Sequence, residues 1–156
     1  MAQSRRKGLM RLTADYPPIW LAGFGLVGWL AGRLAPHGPD WVAIWGWAMV
    51  VVGVMLMAWA VWTLHRARTT VDPHGKPSSL VTSGPFRLSR NPIYLADALI
   101  LAGLCLAFRA PLAVPPLVAG FVAVISIRFI RNEEQRLARA FPDAFKTYCQ
   151  QTRRWL

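Results

Sequence analysis

Acidic residues are scarce in this chain. Seven Asp and Glu stand against 18 Lys and Arg, and the two glutamates, Glu133 and Glu134, are adjacent. Cysteine is equally sparse: Cys105 falls in an apolar run and Cys149 in a basic tail, a separation that excludes a disulfide framework or a cysteine-bound zinc. His65 and His74 are too far apart to suggest metal ligation, so no metal is expected. The sequence has no serine or cysteine nucleophile elbow, no HExxH, no Walker A and no complete GxGxxG. Gly23, Gly25 and Gly28 approach the last in spacing, but they lie inside an apolar run, where glycine serves helix packing.

Apolar runs are abundant. Of the 156 residues 54% are hydrophobic and 16% charged. Residues 16–32, 41–64 and 110–127 carry no charge, and residues 91–108 carry only Asp97. A helix needs about 20 residues to cross a ~30 Å hydrocarbon layer. The second run suffices alone, whereas the others need help from their flanks. The expectation is an all-α integral membrane protein of one domain, 1–156, with about four transmembrane helices and a C-terminal cytoplasmic amphipathic helical segment. Residues 1–64 hold an N-terminal tail and two spans, and residues 65–156 a loop, a helical hairpin and the C-terminal helix.

The net charge of +11 reads as topology rather than nucleic-acid binding. With four spans and the N-terminus inside, Arg5, Arg6, Lys7 and Arg11 face the cytoplasm, as do Arg66, Arg68, Lys76, Arg87 and Arg90. Arg128, Arg131, Arg136, Arg139, Lys146, Arg153 and Arg154 follow the last span. Only Arg33 and Arg109 fall outside, a strong positive-inside bias. This predicts a multi-pass protein of the inner (plasma) membrane with both termini cytoplasmic. The N-terminal run lacks a small-residue cleavage site and opens on Pro17-Pro18, so it reads as a span and not a signal peptide.

Residues 33–40 form a short Pro/Gly loop. Residues 65–90 are too long for a simple connector and are punctuated by Pro73, Gly75, Pro77, Gly84 and Pro85. Tryptophans crowd the first half and suit membrane interfaces. A tight hairpin at residues 109–111 precedes Pro115 and Pro116, which are tolerable in a helix's first turn. Beyond Ile127, Ile130, Leu137, Phe141 and Phe145 recur at helical spacing among charged residues. This predicts an amphipathic helix broken or kinked at Pro142, then a short turn around residues 145–148.

Two polar features stand out. Asn91, Tyr94 and Asp97 project from neighbouring sides of the third run's first turns. An intramembrane carboxylate is costly: Asp97 is either shallow, solvated by water or an arginine, or it faces a functional cavity. Glu133 and Glu134 diverge by about 100° around a helix, so one can face a cleft while the other meets solvent or Arg136. Arg131–Glu134 could be a simple surface pair.

The run Gly84-Pro85-Phe86, Arg90-Asn91-Pro92 and Tyr94, then Glu133-Glu134, Leu137, Phe141, Phe145, Tyr148 and Arg154-Trp155, resembles a known family over residues 69–156. It is similar to the integral-membrane methyltransferases that include isoprenylcysteine carboxyl methyltransferase and phospholipid methyltransferases, in a bacterial-type RNPxY variant. Asn91 stands where the isoprenylcysteine enzymes usually have histidine, and Ala96 where glycine is common.

The resemblance implies S-adenosylmethionine as methyl donor, held between the RNPxY turn and the Glu133-Glu134 helix. It implies cofactor contacts at Gly84, Pro85, Arg90, Asn91, Pro92, Tyr94, Glu133, Glu134 and Tyr148. Arg90 would clamp the donor's carboxylate, a glutamate would accept from its amino group or ribose, and Tyr94 and Tyr148 would pack around adenine or the sulfonium. Arg90, Glu134 and Asp97 are the catalytic candidates, Asp97 as base if the acceptor is an amine. The expected acceptor is a membrane lipid or a prenylated small molecule. The rival expectations are an NADPH-dependent reductase of the sterol-reductase type and a non-catalytic membrane adaptor.

Overall fold

A computed structural model describes residues 16–69 and 79–156 of the chain. The basic tail residues Arg5, Arg6, Lys7 and Arg11, and the loop residues His74 and Lys76, lie outside the described residues. Everything regular among the described residues is helical. In order come α1 (Pro17–Leu34), α2 (Asp40–Arg66), a 3-10 turn (Gly84–Arg87), α3 (Pro92–Ala107), a second 3-10 turn (Pro111–Ala113), α4 (Val114–Ile125), a π turn (Ser126–Ile130), α5 (Arg131–Ala140) and α6 (Pro142–Gln151).

Prolines open most of these helices. Pro17-Pro18, Pro92, Pro115 and Pro142 all occupy first-turn positions, where the missing N–H removes no helical bond. The break at Pro142 agrees with the expectation. The element beyond it is longer than the short turn expected there: Pro142 starts a ten-residue helix, with Asp143 complementing its N-terminal dipole.

Among the described residues two helices are long and apolar enough to cross a membrane: α2, with 27 residues, and the continuous rod Pro111–Ala140, with 30. At 1.5 Å per residue each exceeds the ~30 Å hydrocarbon layer. α1 is diluted by glycine, tryptophan and Arg33, and α3 has only 16 residues. α2 buries just 11% of its most apolar window inside the protein and turns Trp41, Ile44, Trp45, Trp47, Met55 and Trp62 outward. Such exposure suits lipid, not water.

The stripe that α2 buries is Gly46, Gly53 and Ala60, spaced by sevens along one face. Gly46 and Gly53 lie against α3, whereas Ala60 meets Phe86, Phe145 and Tyr148. A Cβ on Gly53 would come 2.7 Å from Ile100 Cγ1 and 3.0 Å from the Ala96 carbonyl. Small residues thus let the two backbones approach closely, as in membrane helix pairs. On α1 the glycines divide: Gly25 and Gly28 pack against Leu104 and Cys105, whereas Gly23 faces open space.

At the end of the bundle holding residues 35–40, the loops interlock. The Arg109 carbonyl accepts from the backbone N–H of His37 and Gly38, each at 3.1 Å. The Arg109 side chain donates to the Gly38 carbonyl and pairs with Asp40 at 3.0 Å. The candidate site lies at the other end.

Candidate active site

Chain reversal at residues 84–87 builds the first wall. Gly84 takes φ +59°, a left-handed conformation that glycine adopts without penalty, directly beneath Thr63 of α2. Pro85 and Phe86 are buried behind it. Tyr148 of α6 donates its hydroxyl proton to the Phe86 carbonyl at 2.6 Å. Burial pushes the Tyr148 hydroxyl's pKa well up, so it stays a donor. Phe86, Phe145 and Tyr148 form a cluster with Ala60, joined by Leu64, Ile93, Leu137 and Phe141. The recurrent apolar positions of the C-terminal segment therefore fix α6 against α2 and the turn.

The second wall is a polar knot. Arg90 Nη1 donates to the carbonyls of Thr152 at 3.0 Å and Cys149 at 3.3 Å, while Nη2 meets Glu134 Oε1 at 3.0 Å. Its backbone N–H donates to the Arg153 carbonyl at 2.9 Å. Glu134 also accepts from Arg154, at 3.1 Å from Nε and 2.5 Å from Nη2. This pairing holds the Arg154 proton more firmly than usual. The Arg154 carbonyl receives the Ser89 hydroxyl at 3.1 Å and the Asn91 amide at 3.0 Å. Residues 152–154 are thereby strapped onto the Arg90-Asn91-Pro92 turn.

Arg131 is exposed, and Glu134 bonds across the fold to Arg90 and Arg154. The surface-pair alternative is thus excluded. Nor does one glutamate face outward. Glu133 Oε2 accepts from the Tyr94 hydroxyl at 3.3 Å, and both glutamates line one cavity. Two neighbours on different sides of α5, the start of α3 and the C-terminal strap, make this possible. The π turn at Ser126–Ile130 helps set that phase, because each inserted residue rotates the downstream helix by about 100°.

The cavity encloses about 460 Å³, within the roughly 300–1,000 Å³ of small-molecule pockets. Arg90, Asn91, Tyr94, Asp97, Glu133, Glu134 and Arg136 are polar members of its lining. Met57, Val61, Leu64, Val81, Ile93 and Phe145 are apolar ones. Of the residues singled out in the sequence, Pro92 and Tyr148 also line it, whereas Gly84 and Pro85 stand behind Phe86 rather than at the surface. Asp97 is 4% exposed and has no hydrogen-bond or ion-pair partner among the described residues. Arg90 Nε is buried and also without a partner. Ser89 and the α2 residues Met57, Val61 and Leu64 carried no sequence signal. A serine in a loop and aliphatics in a long apolar run look like many others.

The model for the phospholipid methyltransferases matches residues 41–144. The chain belongs to the phospholipid methyltransferase family. The matched segment runs from α2 into α6 and contains Arg90, Asn91, Tyr94, Asp97 and both glutamates. Two curated relatives match shorter stretches. The cobalt-zinc-cadmium resistance protein CzcN of Cupriavidus metallidurans is 40% identical over 77 residues, 49% of this chain and 35% of that protein. An apolipoprotein N-acyltransferase of Synechocystis sp. is 42% identical over 64 residues, 41% of this chain and 11% of that protein. The chain therefore spans about a third of one curated relative and about a tenth of the other. Among the described residues no group of His, Cys, Asp or Glu is placed to hold a metal.

Proposed function

We propose that this family member is a four-span membrane methyltransferase. It takes its methyl group from S-adenosylmethionine and works at the cytoplasmic membrane face on a lipid or lipidated acceptor. The observation that carries this reading is the cavity between the start of α3 and α5, whose lining combines charged side chains from those elements with apolar ones from α2. It adjoins α2 and the Pro111–Ala140 rod, the two helices suited to lipid. A water-soluble donor and a membrane-borne acceptor can each reach such a boundary from its own phase.

The residues suit the donor. The unpartnered Arg90 Nε is a buried cationic N–H, the kind of group that would receive the donor's carboxylate. Glu133 spends one oxygen on Tyr94, and its other oxygen can accept from an ammonium or a ribose hydroxyl. Phe145, Tyr148 and Leu137 offer a face for a planar base. When bound, the donor supplies an electrophilic methyl on a sulfonium, whose sulfur leaves with the C–S electron pair as a neutral thioether.

The protein's own part is alignment. An in-line displacement gains most from holding both reactants in register, and the Arg90–Glu134–Arg154 knot makes the polar lining rigid. The apolar lining from α2 excludes water from the reacting centre. In this topology α1 and α3, each short alone, cross as members of the bundle, with the basic C-terminal segment inside.

The test is purified protein in detergent, challenged with S-adenosylhomocysteine or NADPH and then given methyl-labelled donor with extracted membrane lipids. Stabilisation by S-adenosylhomocysteine and label in the lipid fraction are the expected results. Stabilisation by NADPH instead would replace this reading with that of a reductase.

A further inference from the structure

One group in the cavity is left without employment. Asp97 lies five residues beyond Pro92, about 8 Å further along α3 by helical rise. It is 4% exposed, lines the cavity and has no hydrogen-bond or ion-pair partner among the described residues. Glu134, by contrast, is satisfied by two arginines, and Glu133 holds Tyr94. Burying a polar group without a partner costs several kcal/mol, and intramembrane carboxylates are rare unless they serve a ligand or a proton path. Asp97 supports no helix cap and no interhelical bond here, so the fold gains nothing from it.

We propose that Asp97 is the acceptor-recognition residue: it pairs with the ammonium of an amine-headed lipid and takes its proton before methyl transfer. This assignment rests on the methyltransferase reading above and narrows its acceptor from lipid or lipidated molecule to lipid amine. The chemistry requires such a group. An ammonium has no lone pair with which to attack. When its N–H bond breaks, the electron pair stays on nitrogen and the proton passes to an Asp97 carboxylate oxygen. Ammonium and carboxylate become amine and carboxylic acid, with charge conserved, and the freed lone pair is the one that methylation consumes. A carboxylate acceptor needs no base and would be repelled by an ionised Asp97. Met57 and Val61 of α2 line the same cavity and suit the carbons next to the headgroup.

The test uses the full-length protein in detergent, with Asp97→Asn and Asp97→Glu. The acceptor probes are a single-chain lysophospholipid with an ethanolamine head and a prenylated cysteine carboxylate. The wild-type protein is expected to bind and methylate the ethanolamine lipid. Asp97→Asn should lower kcat on it by about 100-fold or more, the low end for loss of a positioned base, and should raise KM. Asp97→Glu should recover part of the loss. Thermal stabilisation by S-adenosylhomocysteine should be equal in all three proteins. Asp97→Asn should melt at the same temperature or higher, since it removes an uncompensated buried charge; a lower melting temperature would make the residue structural and overturn the assignment. So would wild-type kinetics of Asp97→Asn on the amine, or preference of the wild-type protein for the carboxylate probe. If S-adenosylhomocysteine fails to stabilise the wild-type protein, the methyltransferase reading falls by itself. Equilibrium binding of the ethanolamine lipid then judges Asp97 separately: selective loss in Asp97→Asn supports the pairing, and equal affinity rejects it.

Discussion

Arg90 Nη2 meets Glu134 Oε1 at 3.0 Å across 44 residues of sequence, with both side chains largely buried. This pair joins the start of α3 to α5, and Arg154 extends it to the C-terminal strap. Removing the carboxylate leaves Arg90 facing the cavity without its counter-ion. Glu134→Ala should destabilise the protein by about 2–4 kcal/mol, below the fully buried figure because Arg154 is partly exposed. Thermal unfolding in detergent reads this directly. Loss of less than ~1 kcal/mol would mean the knot is a surface ornament.

Glu133 should behave in the opposite way. Its neighbour Tyr94 keeps a carbonyl oxygen to donate to in Glu133→Gln, so melting should move by no more than ~1 kcal/mol. If Glu133 receives the donor's amino group or ribose, the affinity for S-adenosylhomocysteine should fall by about tenfold or more, the loss of one charge-assisted bond. Titration calorimetry on the pair of variants separates a residue that builds the wall from one that touches the ligand. Equal binding by Glu133→Gln and the parent would remove Glu133 from the site.

How far these assignments were legible in the sequence differs by element. The uncharged run 41–64 announced α2, and the prolines announced the starts of α1 and α4 and the break before α6, because both signals are local. The Gly84–Tyr94 and Glu133–Tyr148 motifs pointed to one cavity through a resemblance. Spacing alone left Glu133 and Glu134 diverging by about 100°. What placed both inward was non-local: the strap at residues 152–154, and the π turn, which no residue pattern marks. The same holds for Gly84 and Pro85. They were expected at the ligand; in the structure they shape the turn that presents Phe86 to the cavity and do not themselves line it. The four-span topology rests on charge bias, whereas the structure singles out two helices that meet the length and polarity requirement.

Gly84 offers a test of that supporting role. An alanine there must hold φ +59°, and its Cβ would lie 3.1 Å from Thr63 Oγ1. A left-handed alanine costs about 1–2 kcal/mol, and the contact requires Thr63 to move. Gly84→Ala should therefore lower the melting temperature, and any loss of donor binding should stem from the displaced Phe86 and not from a lost contact. Restored binding at lower temperature, where the variant is folded, is the expected signature. Binding that stays absent in fully folded protein would place the glycine at the ligand after all.

The α2–α3 crossing yields the sharpest contrast. At Gly53 a side chain meets Ile100 Cγ1 at 2.7 Å and the Ala96 carbonyl at 3.0 Å, and the carbonyl is backbone that cannot rotate away. Gly53→Val must push α2 off α3, and α3 carries Tyr94 and Asp97 into the cavity. The cost should exceed the usual ~1–3 kcal/mol of overpacking and reduce the yield of folded, donor-binding protein. At Gly23, also within a helix, an added Cβ finds nothing within 4 Å. Gly23→Ala should leave binding intact and stabilise the protein by up to ~1 kcal/mol, the helical preference for alanine over glycine. Size-exclusion profiles and melting curves of the two variants, measured side by side, check both signs. Equal tolerance at the two positions would mean that the close α2–α3 approach does not set the geometry of the cavity.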